Sequence, residues 1–576
     1  VLSGAEFKIV DLEGWGYERN VTADSSGSVK VSGLPSGRYQ ITETTAPNGY
    51  LLSRRAVNVD SSDGNAKKVS FYDEVIKGKI RIIKQVEDGS SSSVKRPGVG
   101  FSFEIYQKST DTLVETITTD ENGEAESSML PYGAYVVKEV RKEGYYPVED
   151  IEVEIKENDK TIPYILSNER ISADLIIIKI DSDSGNVIPA SGVSFKIRDA
   201  SGNYLRQHVS YPSSYDTDTF VTDESGSVHL PESLPYGTYT IVEIQAPKGY
   251  VLSSEEIEFS VDENVDSSTK EIYVRFPDKA QKGKIEIEKK GEMLNGFKAE
   301  ETEFGTLYTP VFTEKYLSDV TYSIVAREDI IGEDGTLYYK AGDEVSTLVT
   351  TEDGPVSSTE LPLGKYSVTE MKSRDGYVRD TKTYSVDLVY SNQTEKIVTE
   401  HVSFYNEREK AEIHLRKQME ESLFADASAI QDVVLGLFTA EDIQSGSFTL
   451  PKNSLVALSE IHEDDVFVFR AELAGKYVIR ELKTNAHYQI SKENIPVSFT
   501  YAEGNKAWNI IYVTEVLNNN LQRGDLAVYK VDEYGNYATG SVFEVSTDED
   551  FREILCTIET DENGIARAEG LEIGTY

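Results

Sequence analysis

Short runs of alternating apolar and polar residues recur along the whole chain, separated by clusters of Gly, Asn, Asp and Ser. In Ile285-Glu286-Ile287-Glu288-Lys289 the odd positions are apolar and the even ones acidic, and Tyr366-Ser367-Val368-Thr369-Glu370 alternates the same way. A period of two marks a strand with one buried face. Turn clusters such as Thr119-Asp120-Glu121-Asn122-Gly123 and Thr560-Asp561-Glu562-Asn563-Gly564 close the runs. With no long segment of period 3.6 between them, the pattern predicts an all-β chain of sandwiches.

One phrase repeats: a turn cluster, a short strand, then Leu-Pro-x-Gly-x-Tyr leading to a Glu. It runs from Leu34 to Glu43, Leu130 to Glu139, Leu234 to Glu243 and Leu361 to Glu370, and more loosely from Leu473 to Glu481. A chain of 576 residues exceeds a single core. Polar joints near 77, 171, 281, 409 and 522 predict domains at 1–77, 78–171, 172–281, 282–409, 410–522 and 523–576. The first of these lacks an opening strand and the last a closing half. The fourth is longest, because residues 300–350 add material with Asp334-Gly335 and Ala341-Gly342 turns that predict an extra hairpin. Joints this short predict closely stacked domains.

Three polar positions fall on the apolar face of their strands. Residues i and i+2 share a face, so Lys289 follows Ile285 and Ile287 inward, and Lys417 follows Ile413 and Leu415. Lys84, Lys179 and Lys530 sit the same way after Ile82, Ile177 and Val528. Each Glu of the repeated phrase shares its face with the Tyr four residues before it: Glu43, Glu139, Glu243, Glu370 and Glu481. The closing strands end on Asp73, Asn168, Asp278, Asn406 and Asn519, each two residues after Phe or Leu. From each of these to the next inward Lys the step is 11 residues, a regularity that selects Asn519 over Asn518 and Asn520.

An unpaired buried ammonium or carboxylate costs several kcal/mol, and burial lowers a Lys pKa while raising that of a Glu. One reading is a hydrogen-bonded Lys-Glu-Asx cluster that fixes strand register. The other is condensation: a neutral Lys amine attacks the Asx carbonyl while the Glu polarises it and moves protons to the leaving group. Attack on Asn expels ammonia and attack on Asp expels water. Either product is a neutral amide, which removes the burial penalty.

The stretch Tyr39-Gln40-Ile41-Thr42-Glu43-Thr44-Thr45-Ala46-Pro47-Asn48-Gly49-Tyr50 resembles the E-box of Gram-positive pilins and of collagen-adhesin (Cna) B-type, or SpaA-like prealbumin-like, repeats. Tyr239 to Glu243 followed by Ala246-Pro247-Lys248-Gly249-Tyr250 is similar. The resemblance spans essentially the whole chain. It implies a tandem array of inverse immunoglobulin-like (prealbumin-like) β-sandwich domains on a bacterial surface, with spontaneous isopeptide bonds joining first and last strands. The implied cross-links are Lys84 to Asn168 with Glu139, Lys179 to Asp278 with Glu243, Lys289 to Asn406 with Glu370, and Lys417 to Asn519 with Glu481. Glu43 and Asp73 stand without a Lys, and Lys530 without its partners. Glu139, Glu370 and Glu481 lack the following Ala-Pro, and Glu481 the Gly-Tyr as well. No pilin polymerisation motif of the Tyr-Pro-Lys kind and no sorting signal are visible.

Composition narrows the partners. With 100 acidic against 58 basic residues and a formal charge of -42, phosphate backbones are repelled and nucleic acid is excluded as a partner. Cys556 is the only cysteine, so no disulfide can staple the chain; after Ile554 in an alternating strand it reads as a small core residue. No apolar run is long enough to span a membrane. The Asp-rich turns lack the ligand ladder of a calcium loop and read as hairpin turns. The six histidines are scattered, and neither a metal site, a cofactor nor a nucleophile-His-acid arrangement is legible. Beside these exclusions, the resemblance implies an extracellular, cell-wall stalk and not an enzyme, projecting a tip beyond these residues towards a host extracellular-matrix or cell-surface ligand. Alternatives are a ligand-binding adhesin or pilin subunit, with the long fourth domain as the candidate surface, and accessory modules of a secreted enzyme.

Overall fold

The computed structural model describes residues 2–87, 94–462, 465–501 and 505–576. Residues 1–279 and 280–576 form two compact units. Among the described residues strands supply the regular structure, and the one helix is a short 3-10 turn at Ala427–Asp432.

The second repeat, beginning at Lys77, shows the plan. Its opening strand Lys77–Glu87 buries Gly78, Ile80, Ile82, Lys84 and Val86 and turns the residues between them outward. Charged residues alternating with β-branched ones give this strand one wet and one dry face. It pairs in parallel with the closing strand Thr161–Asn168, and antiparallel with the short segments Lys95–Pro97, Glu124–Glu126 and Leu130–Pro131. A second sheet runs in the order Ile151–Ile155, Gly133–Glu139, Ser102–Gln107, Thr112–Thr118. The inner faces meet over Ile80, Ile82, Phe103, Ile105, Tyr135, Val137 and Val153.

The third, fourth and fifth repeats keep this plan. Their opening strands are Ser172–Asp181, Lys282–Thr302 and Lys410–Met419, each paired in parallel with a closing strand: Glu271–Ala280, Ile397–Asn406 and Trp508–Asn519. The Glu-bearing strands Gly237–Gln245, Gly364–Lys372 and Gly475–Lys483 lie centrally in the facing sheets. The Tyr of the repeated phrase donates its hydroxyl to the carbonyl four residues earlier, Tyr135 to Pro131 at 2.7 Å and Tyr366 to Pro362 at 2.7 Å. That bond ties the turn to the strand carrying the Glu.

The fourth repeat departs from expectation. Its added hairpin starts earlier than residue 300: strand Lys282–Thr302 runs past its sandwich, bulges between Leu294 and Gly296, and returns as Gly305–Tyr316. The far part leans on the fifth repeat, where Leu307 pairs with Leu455 and Leu294, Phe297, Tyr308 and Phe312 pack against its core. Within the insertion expected to offer a ligand surface, Leu307, Tyr308 and Phe312 are therefore spent on a neighbour. Arg408 fixes the joint, stacked 3.3 Å from the Phe312 ring centre and bonded to Glu292 and Glu472. A second small hairpin joins Ile330–Ile331 to Leu337–Tyr339, around the Asp334-Gly335 turn.

The two outer repeats are thinner. Residues 2–77 form one sheet, Glu18–Thr22, Glu6–Asp11, Arg38–Thr45 and Ala56–Asp60, while the expected closing strand at Phe71 and Asp73 forms no ladder. Within those residues it has no opening strand to pair with. Residues 523–576 form two two-stranded sheets over a small core of Val545, Ile558, Ala566 and Ala568. Cys556 is half-buried against that core, less enclosed than its alternation predicts.

Candidate functional site

In each of the second to fifth repeats the parallel register sets the same geometry. Lys84 stands opposite Leu166, Lys179 opposite Phe276, Lys289 opposite Phe404 and Lys417 opposite Leu517. The Asx lies two residues beyond that partner, on the same face, so its side chain meets the Lys inside the sandwich. The Glu arrives from the facing sheet: Glu139 pairs with Phe103, Glu243 with Phe195, Glu370 with Tyr322 and Glu481 with Leu435.

The backbone of the Lys is held by the Asp-rich turns. The N–H of Lys84 donates to Gly123 O at 2.7 Å and that of Lys179 to Gly226 O at 2.9 Å. Both glycines have positive φ, and a Cβ on Gly123 would lie 2.5 Å from Lys84 O. Asp120 spends a carboxylate oxygen on the N–H groups of Asn122 and Glu124, each at 2.9 Å, and these bonds hold its pKa down against desolvation. In the described residues this acidic turn thus serves the strand that carries the Lys.

The trios are dry. Lys84, Lys179, Lys289 and Lys417 are at most 2% exposed, and Asn168, Asp278, Asn406 and Asn519 are each 1% exposed. In the second repeat Lys84 Nζ donates to Glu139 Oε2 at 2.9 Å and to Asn168 Oδ1, and Asn168 Nδ2 donates to Glu139 Oε1 at 2.5 Å. In the fourth, Lys289 Nζ donates to Glu370 Oε2 at 3.1 Å and to Asn406 Oδ1, and Asn406 Nδ2 to Glu370 Oε1 at 2.7 Å. In the fifth, Lys417 Nζ lies 3.3 Å from Glu481 Oε1 and donates to Asn519 Oδ1, and Asn519 Nδ2 donates to Glu481 Oε1 at 2.8 Å. In each of these repeats one carboxylate touches both the amine and the amide nitrogen.

The third repeat is as close but differently aligned. Lys179 Nζ is 2.7 Å from Glu243 Oε1 and 2.5 Å from Asp278 Oδ1, without the angles a hydrogen bond requires, and both Asp278 oxygens are buried without a hydrogen-bond partner. The distances define the contact: three buried ionisable groups pressed together.

Burial outweighs pairing in setting the charges. It drives the Lys84, Lys289 and Lys417 pKa values below the usual lysine range, against the opposing pull of Glu139, Glu370 and Glu481. Burial also pushes the Asp278 carboxyl up to about 7, with Lys179 opposing and Glu243 adding to the rise. Aromatic faces complete the pockets, with Lys179 Nζ 4.6 Å from the Phe276 ring centre and Lys84 Nζ 5.2 Å from that of Phe101.

Three sequence-predicted residues stand apart. Glu43 is buried and raised in pKa by desolvation, and its Oε1 and Asp73 Oδ1 are buried without hydrogen-bond partners. Asp73 itself is half-buried. Lys530 keeps the backbone bond made by Lys84 and Lys179, to Gly564 O at 2.9 Å, but its side chain is exposed, contrary to its inward position in the alternation. The parallel closing strand that covers the other lysines is not present among residues 523–576.

The alternation did not disclose two hydroxyls. Asn406 Nδ2 also donates to Ser373 Oγ at 2.9 Å, and Asn519 Nδ2 to Thr484 Oγ1 at 2.7 Å. Both lie three residues after the Glu, where an Ala-Pro motif would place Ala, so the departure from that motif was the available signal.

A nucleophile-His-acid row is also present, contrary to expectation. On the hairpin of Gln207–Val209 and Tyr215–Thr217, Ser214 Oγ lies 3.0 Å from His208 Nε2 and His208 Nδ1 lies 2.7 Å from Asp216 Oδ1. Only the cross-strand pairing of His208 with Asp216 brings these groups together. About half of the His208 and Asp216 side-chain surface is in solvent, so water competes for each bond and the row acts as a pin on the hairpin.

Four successive repeats thus share paired sheets, parallel first and last strands and a buried Lys-Glu-Asx trio between them. The SpaA prealbumin-like fold domain model matches residues 1–75, 86–170, 173–274 and 312–402, more than half of the chain, and the chain belongs to that family. Serine-aspartate repeat-containing protein F of Staphylococcus epidermidis is 24% identical over 410 residues, 61% of this chain. The match spans 21% of that relative's length. Among solved structures, the Bacillus anthracis TIE protein is 22% identical, with 70% of this chain and 69% of that one covered and a TM-score of 0.34. BcpA, the major pilin subunit of Bacillus cereus, is 16% identical, with 49% and 96% covered and a TM-score of 0.25. The family assignment rests on the model match. Among the described residues no helix is long and apolar enough to cross a membrane.

Proposed function

We propose that the chain is a structural stalk segment of a Gram-positive cell-surface protein, whose repeats are domains divided near 77, 171, 281, 409 and 522 and locked by self-formed isopeptide bonds. The observation that carries this reading is the buried meeting of Lys and Asx from adjacent first and last strands beneath a Glu of the facing sheet, in four successive repeats. The bonds are Lys84–Asn168, Lys179–Asp278, Lys289–Asn406 and Lys417–Asn519. The protein sits outside the cell, anchored at the wall, and reaches a host ligand through a tip beyond these residues. Each trio reacts once, so it is a self-modifying site and not a turnover enzyme.

The chemistry follows from the contacts. A neutral Nζ attacks Cγ of the Asx; the Glu carboxyl takes a proton from Nζ and delivers it to the departing group. With Asn the Cγ–Nδ2 bond breaks and ammonia leaves. With Asp, neutral because its pKa is raised, a C–O bond breaks and water leaves. Each Lys Nζ already touches the side-chain oxygen on the Cγ it would attack, so the fold supplies the proximity. The amide then closes loops such as the 84, 117 and 102 residues between the Lys and Asn partners. In the chain-entropy model each closure stabilises by about 4 to 5 kcal/mol.

Intact mass tests the reading. The purified chain should be lighter than its sequence by three ammonias and one water, and Glu243→Ala should restore the water alone. A full unmodified mass in the parent refutes the cross-links; a Glu243→Ala chain that still loses water removes that Glu from the mechanism.

A further inference from the structure

The second amide hydrogen of the acceptor asparagine has a hydroxyl partner in two of the three repeats with an Asn acceptor, and no hydroxyl stands at that position in the two repeats with an Asp. Three residues after the Glu stand Ser373 and Thr484 where the acceptor is Asn406 or Asn519, and Ala46 and Ala246 where it is Asp73 or Asp278. In the second repeat the position is Lys142, whose Nζ goes instead to Val99 O at 2.7 Å and Gly100 O at 3.0 Å. Asn168 Nδ2 there bonds Glu139 alone among the described residues.

A carboxamide can sit in its pocket two ways, and only one is productive. With Oδ1 at the Lys and Nδ2 at the Glu, Cγ faces the amine and the leaving nitrogen faces its proton source. Turned by half a revolution, the amide sets Oδ1 against the Glu carboxylate and Nδ2 against the amine. An Asp has two equivalent oxygens and no such choice. A hydroxyl oxygen 2.9 Å away at Ser373 and 2.7 Å at Thr484 accepts from Nδ2 in the productive orientation. Turned round, the amide would take that hydroxyl as a donor to Oδ1 but still set an oxygen against the Glu carboxylate and Nδ2 against the amine, so the hydroxyl bond adds to the orientation that the Lys and Glu favour.

We infer that Ser373 and Thr484 are positioning residues that hold the Asn406 and Asn519 carboxamides in the orientation attacked by Lys289 and Lys417. The inference rests on the cross-linking reading above. The hydroxyl touches the leaving nitrogen before reaction but exchanges no proton with it in the balanced step: one Nζ proton passes through the Glu to Nδ2, Nζ–Cγ forms, Cγ–Nδ2 breaks and ammonia departs.

The test uses the full chain made by cell-free synthesis, chased for increasing times, quenched in denaturant and digested. The branched peptide joining Lys289 to Asn406 is then quantified by mass spectrometry, with the other three junctions in the same digest as internal controls. Ser373→Val removes the hydroxyl and Ser373→Thr keeps it on the same branched shape. Losing one neutral hydrogen bond of about 1 kcal/mol predicts about fivefold slower closure in Ser373→Val, parental speed in Ser373→Thr, and unchanged closure at Lys84–Asn168. Thr484→Val and Thr484→Ser should split the same way at Lys417–Asn519. A merely structural role would slow Val and Thr variants alike, and that result, or equal parental speed in both, overturns the inference while leaving the cross-link intact. If the parent chain yields Lys289 and Asn406 only on separate peptides, the cross-linking reading itself fails, and this inference with it.

Discussion

Lys289 and Asn406 are 117 residues apart in the chain, yet Lys289 stands directly opposite Phe404 on a neighbouring parallel strand, so that Asn406 shares its face one step further on. The same offset relates Lys84 to Asn168, Lys179 to Asp278 and Lys417 to Asn519. These are the strands at which the chain enters and leaves each repeat, and tension along the chain pulls them past one another.

A cross-link at that place should carry the load. In single-molecule pulling the second to fifth repeats should stay closed if the proposed amides form, because the path of force would then run through the amide and bypass the residues between. Replacing Glu370 by Ala should add one unfolding event, assigned to the fourth repeat, and replacing Glu139 as well should add a second. A parent chain that already extends repeat by repeat contradicts the load-bearing role.

The Asp278 carboxyl gives a pH signature confined to the third repeat. Its folded pKa of about 7 lies above the ordinary value of 3.8, chiefly through burial. The folded form therefore keeps a proton that the unfolded chain has released between those values. In a Glu243→Ala chain, where the link is not made and Glu243 no longer adds to the rise, the stability contributed by Asp278 should be full below pH about 4 and lost as pH rises through a folded pKa that burial still holds above 3.8 but below the parent's value of about 7. Thermal melting across that window should show this decline in the variant. A parent cross-linked as proposed has an amide in place of the titrating group, and its third repeat should show no such decline.

The hairpin of the fourth repeat should matter most to the fifth. Phe312 packs on the fifth repeat's core and carries the Arg408 guanidinium on its face. Phe312→Ala should cost about 2 kcal/mol, less than a fully buried phenylalanine because the ring is half-exposed. Hydrogen exchange should report the loss at Leu455–Leu458, which lies against the hairpin. Protection that changes only within 282–316 would show the contact to be energetically idle.

Residues 2–77 and 523–576 should be the first cut by protease. The former hold Glu43 Oε1 and Asp73 Oδ1 buried without hydrogen-bond partners, and the latter have a core of only a few small and aliphatic side chains. Limited proteolysis that spares both and opens residues 172–281 contradicts this ranking.

The period-two alternation made the fold class legible, and with it the odd Lys, Glu and Asx positions. Face parity is a local property: whether Lys289 points with Ile285 and Ile287 depends only on pleated backbone between them. The constant step from each Asx to the next Lys extended that local knowledge across the repeats. Parity promises only a direction, which is why it placed Lys530 inward while the structure leaves it exposed, with no closing strand over it.

Contacts between strands lay outside that reach. Nothing local tells Tyr308 and Phe312 that they will pack on another repeat, or His208 that Asp216 and Ser214 will flank it. The amide hydrogens of Asn406 and Asn519 likewise find Ser373 and Thr484 only after two sheets have closed face to face. The sequence by itself determined which side of each strand is dry and which polar groups must enter it. Tertiary structure decided which of those groups touch, because pairing, register and sheet packing join residues from 29 to 117 positions apart, and no local pattern encodes the partner's identity.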